Sequence, residues 1–302
     1  MFQYSFGQWV LFFYIYCVFG WCIESTYVSI KTKKITNRGF MRGPWLPIYG
    51  SGAIVMLFCA SPVAGNILLT FLFGMVGASI LEFFTGMAME AIFKVRYWDY
   101  SNRRFNIMGH VCLGNSIAWG LLTILLTRIV HTPIESLVLS IPRSTLNTIV
   151  GIWTVIIAAD FALSFKAAID IRRVLVQLER AKDEMERIQK RLDVLIAVTS
   201  DGLKDRKDAF VDGVKDKAGD FVDSVKDKTG AVKDGVTDEI ADLRVKYAVL
   251  REKQFSLRGL SDYIQRSVIR GNPTMTSHKF ASALDMIKNA VYYHKNDDEE
   301  EI

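Results

Sequence analysis

Five ionisable side chains stand inside stretches that are otherwise apolar: Glu24, Glu82, Glu90, His110 and Asp160. An ionisable group in hydrocarbon is costly, and such groups face a protein interior, a partner or a wet path. The chemistry open to them is binding of a proton or ion, or recognition of a small polar solute. Glu24 lies seven residues before Lys31, Glu90 four before Lys94 and Asp160 six before Lys166. At a rise of 1.5 Å per residue these carboxylates sit roughly 6–11 Å from the ends of their helices. His110, just inside the start of the fourth apolar segment, belongs to the same layer. Glu82 alone is deep, at ~18 Å, where it requires a buried partner, a proton or a water-filled cavity.

The layer faces a ring of Arg38, Arg42, Arg96, Arg103 and Arg104. One interpretation is a polar vestibule that binds or passes a small solute. The other is a structural network in which carboxylates pair with loop arginines and pin the helices, their heads reaching towards the interface. Glu82 and Glu90 are eight residues apart, about 80° around a helix, so they can line one wall without touching.

The elements that must position these groups are apolar runs over 6–30, 46–60, 67–93, 107–130 and 147–165. Four reach or approach the ~20 residues that cross a ~30 Å hydrocarbon core. The second is short, opens with Pro47 and carries Gly50 and Gly52. It is expected to be partly irregular and packed among its neighbours. The fold class expected is all-α: a polytopic membrane bundle of about five helices over 1–165, followed by a helical tail.

Between the runs the charge alternates. Residues 31–44 hold Lys31, Lys33, Lys34, Arg38 and Arg42 without an acid; residues 94–105 hold Lys94, Arg96, Arg103 and Arg104 against Asp99. The loop at 61–66 is uncharged, and the region around Arg128, Glu135 and Arg143 is weakly charged. The tail begins with Lys166, Arg172 and Arg173. The positive-inside rule then predicts the N-terminus outside, five spans and the C-terminus in the cytoplasm of a bacterial inner membrane. The first run lacks a basic leader and is too long for a signal peptide, so it is expected to stay as a span.

Composition excludes several classes. Residues 1–165 carry 11 Lys/Arg and 6 Asp/Glu, and the remainder is balanced, so the net charge of +5 sits in short loops rather than in a nucleic-acid-binding face. Cys17, Cys22, Cys59 and Cys112 show no CxxC spacing and read as packing residues. No catalytic triad, HExxH, P-loop or GxSxG is present, so no enzymatic activity, cofactor or metal is expected. Gly74, Gly77, Ala78, Gly86, Gly109, Gly114 and Gly120 mark places for close helix approach, and Asn115 and Ser116 are candidates for bonds between helices.

Several phrases are distinctive together. They are Gly20-Trp21-Cys22-Ile23-Glu24-Ser25, Asn37-Arg38-Gly39-Phe40, and Gly43-Pro44-Trp45-Leu46-Pro47-Ile48-Tyr49-Gly50, then Leu81-Glu82, Met89-Glu90, Tyr97-Trp98-Asp99-Tyr100-Ser101 and Phe105-Asn106. Over residues ~5–165 the chain resembles the bacterial ABC-transporter type IV family of CmpB-like permeases. The resemblance implies a membrane permease and carries over no catalytic residue. The Asn37 and Arg42 phrases are turn signals in their own right. Trp98 and its neighbours form an aromatic cluster of the kind that anchors helix ends at headgroup level, with Asp99 paired among the arginines. The same cluster suits contact with anionic lipid.

The tail reads as successive helical pieces. Ile171, Val174, Leu178, Ala181, Met185, Ile188, Leu192 and Leu195 follow an unbroken 3-4 heptad, which places a coiled coil over 166–200. Residues 201–237 carry an eleven-residue repeat with one narrow apolar stripe, weakened by glycines. A second heptad, Ile240, Leu243, Tyr247, Leu250 and Leu257 with polar Gln254, covers 238–270. After Gly271-Asn272-Pro273 a short amphipathic helix and an acidic ending fill 271–302. The coils are able to pair within one chain or between copies.

Two functions are thus open. The first is a transporter component whose path is lined by Glu82, Glu24, Glu90, His110 and Asp160. Lacking a P-loop, it requires a separate ATPase subunit or an ion gradient. The second is a membrane scaffold presenting its coil to protein partners or to a second copy. A lipid-modifying enzyme built on the Glu/His/Arg layer is the third option, with no motif to specify its reaction.

Overall fold

A computed structural model describes residues 4–212, 220–258 and 263–299, with side chains over 4–197, 236–257 and 263–292. The eleven-residue repeat therefore lies almost wholly outside the described side chains, although helix continues through its ends. The regular elements among the described residues are helical apart from one two-stranded hairpin and an isolated bridge, in keeping with an all-α membrane bundle.

Helix α1 (Phe6–Thr32) starts at a capping box in which Ser5 and Gln8 satisfy each other's backbone, and ends at Lys33 in the left-handed region. Helix α2 (Pro47–Ala60) opens with proline at its first turn, where a missing N–H costs nothing. Its 14 residues reach only ~21 Å, short of a ~30 Å hydrocarbon core, and they form a regular helix where a partly irregular one is expected from the sequence. Helix α3 (Ile67–Phe93) is capped by Asn66, whose side chain accepts from Leu68 and Leu69 N–H.

The fourth apolar run is where structure and sequence differ. Residues 106–112 form the hairpin β1 (Asn106–Ile107) and β2 (Val111–Cys112), paired antiparallel. The span starts only at α4 (Leu113–Leu125) and continues through a π-helical turn, Leu126–Val130, into α5 (His131–Ser140). The span is thus shifted ten residues towards the C-terminus at its far end. Pro133 explains the widened turn: its ring clashes with the carbonyl four residues back, Ile129, and the ladder slips to a His131-to-Leu126 bond.

Four helical stretches are long and apolar enough to cross a membrane: 6–32, 67–93, 113–140 and the first part of α6 (Arg143–Asp212). Helices α1, α2, α3 and α4 pack in sequence, and α5 returns to α1. One core joins them, with Phe12, Leu57, Ala78, Trp119, Val138 and Leu146 buried together. The outward side chains Phe73, Val76, Ile80, Leu121, Val155 and Ile156 are exposed, which suits a hydrocarbon solvent and not water.

Two compact units result, residues 1–175 with 260–302, and residues 176–259. The division differs from a boundary at 166, because the C-terminal segment joins the membrane bundle. Helices α8 (Tyr263–Gly271) and α9 (Ala281–Glu299) pack on each other through Ile269, Leu284 and Ile287. The turn between them reaches the loops: Thr276 and Arg96 exchange both backbone hydrogen bonds at 2.8 and 2.9 Å. In the other unit, α6 and α7 (Asp220–Arg258) meet where Arg191 pairs with Glu239. Leu178, Ala181, Met185, Ile188, Leu243 and Gln254 of the two seams are buried.

Candidate functional site

Glu82 is 4% exposed and every hydrogen-bond partner it has is a neutral donor. Asn115 Nδ2 donates to Oε1 at 2.7 Å, Tyr100 Oη to the same oxygen at 3.3 Å, and Trp119 Nε1 to Oε2 at 3.0 Å. Asn115 and Trp119 are four apart on α4 and so share one face. Gly74 and Gly120 let α3 and α4 approach, since a methyl at Gly74 would lie 2.1 Å from Thr123 Oγ1. Ser79 and Ser116 add a hydroxyl pair at 2.8 Å between the same helices. Tyr100 comes from the 94–112 loop, which therefore dips into the bundle. Burial and the adjacent Glu82 carboxylate raise its phenol far above the ordinary range, so it stays a donor.

Glu24 lies beside this floor. It accepts from Tyr49 Oη at 3.1 Å and faces Arg38 Nε at 3.9 Å. The Tyr49 ring sits 5.4 Å from that of Trp119, so Glu24, Tyr49, Trp119 and Glu82 form one continuous wall. The Arg38 guanidinium is held by the Tyr97 carbonyl and by Gly271, Asn272 and Thr274 of the C-terminal turn. Its best bond is to Asn272 Oδ1, at 2.7 Å.

These residues enclose a cavity of about 1330 Å³. It runs from Glu82 and Trp119, past Glu24 and Tyr49, to a mouth formed by Arg38, Trp98, Asp99, Arg103 and Arg104 with Asn272, Pro273, Thr274 and Thr276. Phe40, Phe93, Phe161 and Phe165 supply apolar wall.

The remaining candidates lie elsewhere. Glu90 accepts from Arg96 Nε at 2.8 Å and from His110 Nε2 at 3.2 Å, and none of the three lines the cavity. The offset of about 80° along α3 turns Glu90 away from the wall that holds Glu82. His110 sits in the hairpin turn and not on a span. It is buried against Gly86, where a methyl would lie 2.9 Å from Nδ1. Burial, with help from Arg96 and opposed by Glu90, holds its pKa below 6.5. Asp99 accepts from Ser101 N–H and Oγ and from Thr276 Oγ1, and faces Arg96 at 3.5 Å. Burial pushes it up, but those donors outweigh burial and hold it below 3.8. Trp98 donates to the His110 carbonyl at 2.9 Å. Asp160 accepts from the backbone N–H of Arg42 and Gly43 and fixes the 33–46 loop, while the Arg42 guanidinium lies over Tyr263. The layer is thus three arrangements: a cavity, an ion-pair network at the loop base and a loop clamp.

The family described as "Putative ABC-transporter type IV" matches residues 11–165. The chain belongs to this family. The matched stretch contains Glu24, Arg38, Tyr49, Glu82, Tyr100, Asn115 and Trp119, so nearly the whole cavity is family territory; the exception is the C-terminal turn. Family membership and the apolar helices make the chain a multi-pass membrane protein related to ABC-transporter components. No curated protein and no solved structure matches the chain.

Sequence reasoning missed Tyr49, Tyr100 and Trp119 as neighbours of Glu82, and it missed the C-terminal turn. It also missed a buried cluster at the opposite end of the bundle. There Tyr16 Oη lies 2.7 Å from His131 Nδ1, Tyr4 Oη lies 3.1 Å from Nε2, and Tyr4 also bonds Glu135. The available signal was the i, i+4 spacing of His131 and Glu135, both on one helical face.

Proposed function

We propose that the chain is the solute-handling membrane component of a transporter, with its cavity entered from the cytoplasm and its energy drawn from a separate ATPase subunit or an ion gradient. One observation carries this. Glu82, deep along a span, lies at the floor of a cavity about 1330 Å³ in volume whose mouth is built from the basic loops. A merely structural carboxylate at that depth has no use for such a space; a carboxylate that meets a ligand does.

The orientation follows from charge. The 33–46 and 94–112 loops and the start of the tail share one end of the bundle and carry the basic excess, which favours the cytoplasmic leaflet of a bacterial inner membrane. The loops then face anionic lipid headgroups as well as the cytoplasm. Nothing in this scheme needs a chemical step by the protein itself.

A scaffold role for the tail is compatible with the first. Val245, Val249 and Phe255 of α7 are exposed while Leu243 and Gln254 of its seam are buried and Ile240, Tyr247, Leu250 and Leu257 are half-buried, leaving an outward apolar face for a protein partner or a second copy.

The decisive experiment is sided access. Thr85 lines the cavity without touching Glu82 through a hydrogen bond. In a chain freed of its four native cysteines, Thr85→Cys is expected to react with a membrane-impermeant methanethiosulfonate in inside-out vesicles and not in right-side-out ones. Reaction from the outer face only, or from neither face, rejects the cytoplasmic vestibule.

A further inference from the structure

The cavity's electrostatics say what kind of solute it takes, an inference that rests on the cavity being a solute site at all. The floor carries two carboxylates, Glu82 and Glu24. Among the described residues no lysine or arginine comes within ion-pair distance of Glu82, and all three of its partners donate. An ionised Glu82 uses all three of these donors at once, so the arrangement suits a carboxylate. Donors of this kind ease the cost of a buried anion without cancelling its charge, which a cation would answer.

Of the cations on the wall, Lys31, Arg103 and Arg104 are exposed, and Arg38, the one that faces Glu24, is already committed. It faces Glu24 and donates to four oxygens: the carbonyls of Tyr97 and Gly271, Asn272 Oδ1 and Thr274 Oγ1. Its planar fork is used up in holding the C-terminal turn, which leaves little with which to receive an anionic ligand. The deep part of the cavity therefore holds two carboxylates against one arginine, a deficit of one positive charge.

The remaining wall is aromatic. Tyr49, Trp119 and Tyr100 surround the carboxylates, and Phe40 and Phe93 lie on the way in. Aromatic faces attract a cation that has shed its water, with Trp the best of them. They also accept an apolar body. A strongly hydrated metal ion would find carboxylates too few and a wall too apolar. Arg103 and Arg104 at the mouth are exposed, and their field is screened within about 8 Å at physiological salt.

We propose that the cavity binds an organic cation, a protonated or quaternary amine with an apolar body, whose charge is answered by Glu82 with Glu24 beside it and whose body lies against Tyr49 and Trp119.

The test uses the full chain reconstituted in nanodiscs, with benzyltrimethylammonium and phenylmethanesulfonate, an anion of nearly the same size and shape, as probes. Saturable binding of the cation, at least tenfold tighter than the anion, is expected. Glu82→Gln should weaken the cation at least tenfold and leave the anion unchanged, while Glu82→Asp keeps a measurable part of the affinity. If Glu82→Gln does not fold, the charge preference of the wild-type protein still decides. Equal affinity for both probes, or tighter binding of the anion, overturns the cation assignment and leaves the cavity a solute site. Cation binding that Glu82→Gln does not alter overturns the role given to Glu82. Binding of neither probe overturns the assignment as well. If Thr85→Cys is also unreactive, the solute site itself falls.

Discussion

Glu82, His110 and Asp99 are three titratable residues put to different uses by their surroundings. Glu82 is bonded by neutral donors in a cavity, and its removal is expected to cost ligand affinity. His110 is locked in a protein turn, its Nε2 3.2 Å from Glu90. Because burial lowers its folded pKa below 6.5, the unfolded ring takes a proton first. Its stabilisation is complete above pH 6.5 and is lost as pH falls through the folded value. Thermal midpoints of the full chain should therefore decline from pH 7 to pH 5, and His110→Asn should flatten that part of the profile. Asp99 has the usual carboxylate sign: its folded pKa lies below 3.8, so its contribution is present above that value and is lost at more acid pH. Asp99→Asn should remove a second, more acid decline. A profile that keeps both declines in both variants would contradict these assignments.

At the scale of elements, contact distance between helices sets what a single methyl costs. A Cβ at Gly20 would lie 2.1 Å from the Tyr49 Cβ, too near the backbone for a rotamer change to relieve. Gly20→Ala is expected to destabilise the bundle by ~1–3 kcal/mol and to push Tyr49 off Glu24. Unfolding in detergent reads the first effect, and loss of cation binding reads the second. At Gly151, outside the cavity, a Cβ meets no atom within 4 Å, so Gly151→Ala is the matched control and should be silent or slightly stabilising. Non-glycine backbone strain concentrates at one end. Lys33, Lys94, Phe105 and Met108 all have positive φ, and all sit in the loops around the cavity mouth. Each costs of order 1 kcal/mol, and the surrounding bonds of Asp99, Asn106 and Asp160 hold them there.

The whole molecule is closed by its C-terminal segment. Asn272, 1% exposed, accepts from Arg38 at 2.7 Å and donates to the Gly39 and Val268 carbonyls at 2.9 Å. One side chain thus ties a loop after α1, the end of α8 and the mouth of the cavity. Asn272→Ala leaves the buried Arg38 short of its best acceptor and is expected to cost ~2–3 kcal/mol. Limited proteolysis with trypsin should then cut at Arg38 and Arg270 faster than in the wild type, with the spans intact. Unchanged cleavage would mean that the turn does not hold the loops.

The sequence by itself determined which runs are apolar helices, apart from the bounds of the fourth, which loops are basic and how far along α3 Glu82 lies. Each of these is a local property: hydropathy over a window, charge between windows, and rise per residue along one helix. It also marked the seams of α6 and α7, because a 3-4 period survives any arrangement of the rest. Only the tertiary structure decided which face of each helix looks where. That azimuth separated Glu82 from Glu90, put His110 in a turn of the hairpin and set Asp160 to clamping a loop. It also brought Tyr100, Asn115 and Trp119 to one carboxylate, and carried Thr276 back across about 180 positions to Arg96 and Asp99. Contacts of that separation leave no period in a sequence, since they arise from packing surfaces that exist only once the helices have assembled.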